Sequence, residues 1–167
     1  MILVFEFLHP VAKLVTRDAQ QLGRARLIPP APLKRLPHGP EFRFVDRLVS
    51  LEPGQRGVAE YTVRGDEFFL RGHFPSQPIF PGVLLVEAAA QLAGVVAQSD
   101  PKIPPLPGLK LAALRNVKIL GAVTPGEVIR VEAAINGRLG NLVQAEAIAS
   151  VAARVVLEAS LTLSGDR

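Results

Sequence analysis

Two polar residues stand alone in an otherwise apolar run. Residues 83–97 read Val-Leu-Leu-Val-Glu-Ala-Ala-Ala-Gln-Leu-Ala-Gly-Val-Val-Ala, interrupted only by Glu87 and Gln91. Four residues apart, they fall one above the other on a single helix face. A helix that is apolar all round is buried, so Glu87 is expected inside the protein or lining a cavity. An ionised carboxylate stripped of water is costly, and such a group usually takes up a proton instead. A carboxyl that keeps its proton near neutral pH can serve as a general acid. The plain alternative is that Glu87 pairs with an arginine or caps a loop. No Lys or Arg lies within four residues along the helix, and a Gln shares its face.

Fourteen residues earlier, His73 sits in Gly72-His-Phe-Pro75. Alone, it reads as a structural loop histidine. Its segment, however, delivers the chain to Pro81-Gly82 at the start of the helix. There the first backbone N–H groups have no intrahelical partner and the helix dipole favours negative charge. A developing oxyanion could be held there, and Gly82 would let a ligand approach the backbone closely. A base, an acid and an oxyanion site converging on one helix suit proton transfer beside a carbonyl. Ser76 is near His73, but nothing suggests that it is activated. The chain has no G-x-S-x-G, P-loop or G-x-G-x-x-G, so serine-hydrolase and nucleotide-binding readings have no support.

These residues need a scaffold. Residues 42–51 alternate as a strand, 52–55 make a turn, and 57–63 give the second strand of a hairpin. Residues 68–82 combine three prolines with four of the nine aromatics, which suggests a loop pressed into the interior. The long helix of residues 83–98 follows, ended by Ser99-Asp-Pro101. Four more strands are expected at 110–120, 127–136, 142–152 and 154–163, with turns at 124–127 and 136–141. The order of a strand pair, an apolar helix and a run of strands is an α+β layout with one helix on an antiparallel sheet.

The 167 residues fit one domain beginning near residue 36, preceded by a Pro-rich extension over residues 1–35. With no cysteine there is no disulfide, thiolate zinc site, iron–sulfur cluster or cysteine nucleophile. Three dispersed histidines outside any H-E-x-x-H pattern make a metal unexpected, and no cofactor is expected. Nearly half the residues are hydrophobic, yet no run approaches the ~18 apolar residues of a membrane span. The amino terminus lacks the form of a signal peptide. The expectation is a soluble cytoplasmic protein whose surplus apolar surface meets another subunit. The net charge of +4 sits entirely in residues 1–43, where seven basic groups face three acidic ones. That is either a solvated arm or a handle for an acidic partner. Nucleic acid is the weaker candidate, because few aromatics accompany the charge and no recognisable module follows.

The run from Gly72 to Gln91, G-H-F-P-S-Q-P-I-F-P-G-V-L-L-V-E-A-A-A-Q, closely resembles the active-site segment of the (3R)-hydroxyacyl-acyl-carrier-protein dehydratases of the FabZ type. That family's pattern is G-H-F-P-x-x-P-x-x-P-G-V-L-x-x-E-A-x-x-Q. Leu36-Pro-His38 and Val45-Asp-Arg47 resemble its L-P-H and V-D-R, and Val123-Thr-Pro-Gly-Glu127 its V-x-P-G-D turn. The resemblance spans residues 36–163. It implies a hotdog fold, a sheet wrapped around one long helix, in a homodimer often assembled into a trimer of dimers. It implies that His73 of one subunit faces Glu87 of the other, His73 removing the C2 proton and Glu87 protonating the departing 3-hydroxyl. Gly82 would hold the thioester carbonyl through its N–H, with Gln91, Phe74, Phe80 and Val83 completing the substrate site. The implied substrate rides on the phosphopantetheine of an acidic acyl carrier protein in fatty acid biosynthesis. No aromatic follows Phe80, so Val117 or Ile119 is expected beside the acyl tunnel. A hotdog thioesterase and a non-catalytic acyl-binding subunit are the rival readings. Both lack a reason for His73, Gly82, Glu87 and Gln91 to occur together.

Overall fold

The computed structural model describes Leu33 and residues 36–166. Apart from Leu33, the expected extension over residues 1–35 lies outside the described residues. Alternation of side chains organises the rest. On strands β4 (Val128–Leu139), β5 (Leu142–Val151) and β6 (Arg154–Ser164), every second residue over long stretches is apolar and buried. Ile129, Val131 and Ala133 form one such row, Val143, Ala145, Ala147 and Ala149 a second, and Leu157, Ala159, Leu161 and Leu163 a third. That period places one face of a sheet on a core.

Strands β1 (Arg47–Glu52), β2 (Arg56–Thr62) and β3 (Lys110–Ile119) complete it. The six strands run in the order β1-β2-β4-β5-β6-β3 with every neighbour antiparallel. Helix α1 (Gly82–Ala97) packs mainly across β4, with further contacts to β2, β5 and β6. Small residues let it sit close. Ala88, Ala89, Ala93 and Ala97 are buried, and a Cβ on Gly57 would lie 2.8 Å from Val96 Cγ2. Among the described residues, one α-helix cradled by an antiparallel sheet makes the hotdog fold.

Three expectations needed correction. Residues 42–46 do not extend β1; a 3₁₀ turn at Pro40–Phe42 and an irregular strap precede it. The ladder begins only where the Asp46 N–H donates to Glu60 O at 2.8 Å. β4 runs on through Asn136 and Gly137 with a register break there. The turn is therefore Gly140-Asn141 alone, with Gly140 at φ +58° supplying the left-handed residue that a two-residue hairpin needs. The aromatic loop is pressed inward only in part. Leu70 and Phe80 are buried, whereas Phe68 and Phe74 are each 57% exposed.

Candidate active site

Gln91 is the centre of a polar frame inside this apolar helix. It is the one buried polar side chain among the described residues, at 2% exposure. Its Oε1 accepts the Phe44 N–H at 2.9 Å. Its Nε2 donates to Phe42 O at 2.9 Å and to Glu87 Oε1 at 3.0 Å. Because a backbone N–H can only donate, the amide orientation is forced. Gln91 thus takes the place of a neighbouring strand for residues 42–44, which is why that strap leaves β1. With its second Nε2 hydrogen it holds the Glu87 carboxylate.

Glu87 has a second neighbour on the same oxygen. His38 Nε2 lies 3.2 Å from Glu87 Oε1, with the two side chains 30% and 22% exposed. The His38 ring meets Phe42 at 6.2 Å between centroids, and its buried Nδ1 has no hydrogen-bond partner among the described residues. Glu87 is therefore not sealed in the core; it borders a cavity of about 480 Å³. Leu36, Pro37, His38, Gln91 and Gly94 share that cavity, and the rest of its lining includes leucines of the following loop and of β3 and β6 together with Gln98 and Lys110.

His73 is set by the loop that precedes the helix. Its Nδ1 lies 2.9 Å from Ile79 O. A carbonyl only accepts, so this hydrogen bond puts the proton on Nδ1 and leaves the Nε2 lone pair as the basic atom. The loop is pinned on both sides. Gln77 N–H donates to Phe74 O at 2.8 Å, and Phe80 N–H to Val123 O at 2.7 Å. Phe74 takes φ +60°, uncommon for a residue with a side chain, and its ring meets His73 edge-on at 4.6 Å.

At the helix start, N-cap Pro81 offers no side-chain cap, and Leu84 N–H donates to Pro81 O at 2.9 Å. The N–H groups of Gly82 and Val83 have no partner among the described residues. Gly82 is also a packing site, since a Cβ there would lie 2.8 Å from Ile119 Cδ1.

Glu87 and Gln91 therefore share one cavity, while His73 and Phe74 sit on the loop and Val83 is 69% exposed beside it. No hydrogen bond or ion pair joins His73 to Glu87 within the chain. Phe80 is in the core at 2% exposure, its ring 5.4 to 5.9 Å from Phe44, Tyr61 and Phe69. Val117 and Ile119 are exposed on β3 and do not line the cavity. His38 is the neighbour of Glu87 that sequence reasoning missed. Its Leu-Pro-His setting was the available signal, but spacing alone could not carry it 49 residues to the helix.

A family model for the FabA-like domain matches residues 36–160. The chain belongs to the FabA-like family. This FabA-like chain is 38% identical over 128 residues to the 3-hydroxyacyl-[acyl-carrier-protein] dehydratase FabZ of Caldanaerobacter subterraneus subsp. tengcongensis, covering 77% of this chain and 90% of that protein. It is 38% identical over 126 residues to the protein of the same name in Roseiflexus castenholzii, covering 75% and 87%. Among solved structures, the dehydratase heterocomplex ApeI:P of Xenorhabdus doucetiae superposes with a TM-score of 0.70 at 19% identity, over 85% of this chain and 93% of that one. A hypothetical thioesterase with coenzyme A from Streptococcus pneumoniae superposes at 0.57 with 12% identity, over 72% and 84%. These two likenesses are of fold alone.

Proposed function

We propose that the chain dehydrates (3R)-3-hydroxyacyl thioesters carried on acyl carrier protein to trans-2-enoyl thioesters, as a soluble cytoplasmic hydro-lyase of fatty acid biosynthesis. The observation that carries this reading is Glu87, a carboxyl held by Gln91 at an apolar cavity. In the proposed reaction His73 Nε2 takes the C2 proton. The electrons move toward the thioester carbonyl, whose oxygen is met by the Gly82 N–H. As the C2–C3 double bond forms, Glu87 gives its proton to the C3 hydroxyl, which leaves as water. Phe74 and Val83, both exposed, are assigned to meet the substrate, and Phe80 acts from below by anchoring the loop that orients His73.

A homodimer completes the proposal. Edge strand β3 exposes Leu114, Val117 and Ile119, followed by Leu120. A ten-residue edge that exposes these apolar side chains between Arg115 and Lys118 is suited to pairing with another strand. We assign that strand to a second copy, whose His73 faces Glu87 of the first, with further assembly as a trimer of dimers. Arg71, exposed two residues before His73, and the basic residues 1–35 are proposed to meet the acidic carrier. Residues 36–167 would form the dehydratase domain.

Hydration of a crotonyl thioester, followed by ultraviolet absorbance, tests the chemistry. His73→Ala and Glu87→Gln should each lower turnover by roughly 10²–10⁴-fold with the melting temperature unchanged. Wild-type turnover in Glu87→Gln would remove Glu87 as the acid, and release of free thiol would favour a thioesterase instead. Re-annealed mixtures of the two inactive chains should recover about a quarter of wild-type activity if the site is shared in a symmetric dimer.

A further inference from the structure

The cavity beside Glu87 has a built far end. It follows one stripe of α1 through Glu87, Gln91 and Gly94 to the C-cap residue Gln98, a span of about 16 Å at 1.5 Å per residue. At the Glu87 end its polar groups are those of the site. Midway, Gly94 borders it, and a Cβ built on Gly94 finds nothing within 4 Å. At the other end the Gln98 amide is clasped to the following loop at two points. Its Nε2 donates to Leu106 O at 2.6 Å, and its Oε1 accepts the Leu106 N–H at 2.8 Å. A side-chain amide whose donor and acceptor are both engaged by one residue's backbone is a fixed wall rather than a swinging side chain.

We propose that Gly94 and the Gln98–Leu106 clasp set the longest acyl tail the enzyme accepts, which rests on the reading of Glu87 as the acid at the head of this cavity. The occupant is the linear apolar tail of the thioester. The cavity begins where the reacting carbons would lie, and beyond Gly94 it is lined mainly by leucines, with Lys110 at its edge. Gly94 keeps the passage open at mid-length, and the clasp stops it. Every methylene that fits should raise kcat/KM about fourfold, the burial of one CH₂ at ~0.8 kcal/mol. Methylenes that reach the clasp should add nothing.

The test is a series of 3-hydroxyacyl-pantetheine thioesters from butanoyl to dodecanoyl, turned over by the full chain and two variants. In Gly94→Leu the ratio of decanoyl to butanoyl kcat/KM should fall at least about tenfold, because a side chain now fills the mid-cavity. In Gln98→Ala the cut-off should move to longer tails. Gly94→Ala, which favours the helix, should shift the ratio the same way by less and guards against misfolding of the leucine variant. Ratios within about twofold of wild type in all three folded variants would overturn the proposal. Calorimetric binding of saturated decanoyl-pantetheine separates this from failure of the dehydratase reading. A wild-type protein that binds it, and loses that binding in Gly94→Leu, keeps the tail cavity even if no thioester is dehydrated. A protein that dehydrates the series with no dependence on Gly94 or Gln98 keeps the activity and loses the cavity.

Discussion

Replacing Gln91 by leucine should separate the frame of the site from its chemistry. The substitution keeps the volume and removes three hydrogen bonds at once. The Phe44 N–H suffers most, because Phe44 is 1% exposed and its partner is the Gln91 oxygen at 2.9 Å. An orphaned buried donor costs about 1–3 kcal/mol. Phe42 is 43% exposed, so its carbonyl can turn to water and adds little. Glu87 borders the cavity and can be rehydrated there. The sum is about 2–3 kcal/mol, which lowers the melting temperature by roughly 10 °C in a domain of this size. Circular-dichroism melts measure it directly. At a temperature well below the melt, kcat should also fall, by about tenfold, because the carboxyl loses the donor that sets its direction. A melting temperature within about 2 °C of wild type would refute the reasoning, since the strap over residues 42–44 would then be held by something other than this amide.

Other substitutions test other parts of the frame. Phe80→Ala removes a ring packed among Phe44, Tyr61 and Phe69; urea denaturation should show a loss of about 3–5 kcal/mol. Gly82→Ala drives a Cβ to 2.8 Å from Ile119 Cδ1 and should cost about 1–3 kcal/mol. Adding Ile119→Ala should recover part of that loss in a double-mutant cycle, and strict additivity would show that the glycine is needed for some other reason. Glu67 predicts an acid limb of stability. Burial pushes its carboxyl up, but the N–H groups of Arg64, Glu67 itself and Gly65 and the Tyr61 hydroxyl outweigh that and hold it below the usual carboxylate range. Its stabilisation is therefore complete above the unfolded-state pKa of about 4.3 and is lost as pH falls through the lower folded value. Chemical denaturation across that interval should show the wild type losing more stability than Glu67→Gln, and parallel curves would contradict the assignment.

The strands were legible wherever one face is buried and the other solvated, because that alternation carries a period that survives without tertiary information. β5 and β6 begin and end within a residue of expectation for this reason. The helix was legible from the opposite signal, an apolar run too long for a strand and closed by a proline. Residues 42–45 misled because Phe42, Arg43 and Phe44 alternate like a strand with no strand beside them. Their backbone partner is a side chain 47 and 49 residues away, and no local pattern encodes that.

The helix also made Glu87 visible, since a carboxylate among alanines and valines has to be accounted for. What the periodicity could not settle was the kind of accounting. Complete burial would have required full desolvation, whereas a cavity supplies room and polar neighbours together. The difference is made by residues 36–38 and by Gly94. The first segment brings Leu36, Pro37 and His38 to the Glu87 end of the cavity, and the glycine removes a side chain at mid-length. Neither reads as chemistry in a linear scan, because a histidine without charged neighbours and a glycine within a helix each have common structural explanations. Their meaning comes from sharing a cavity with Gln91, whose amide ties the strap that follows His38 to the helix that carries Glu87. One buried amide thus does two jobs that a sequence shows only as one, completing the backbone of the strap and aiming the carboxyl.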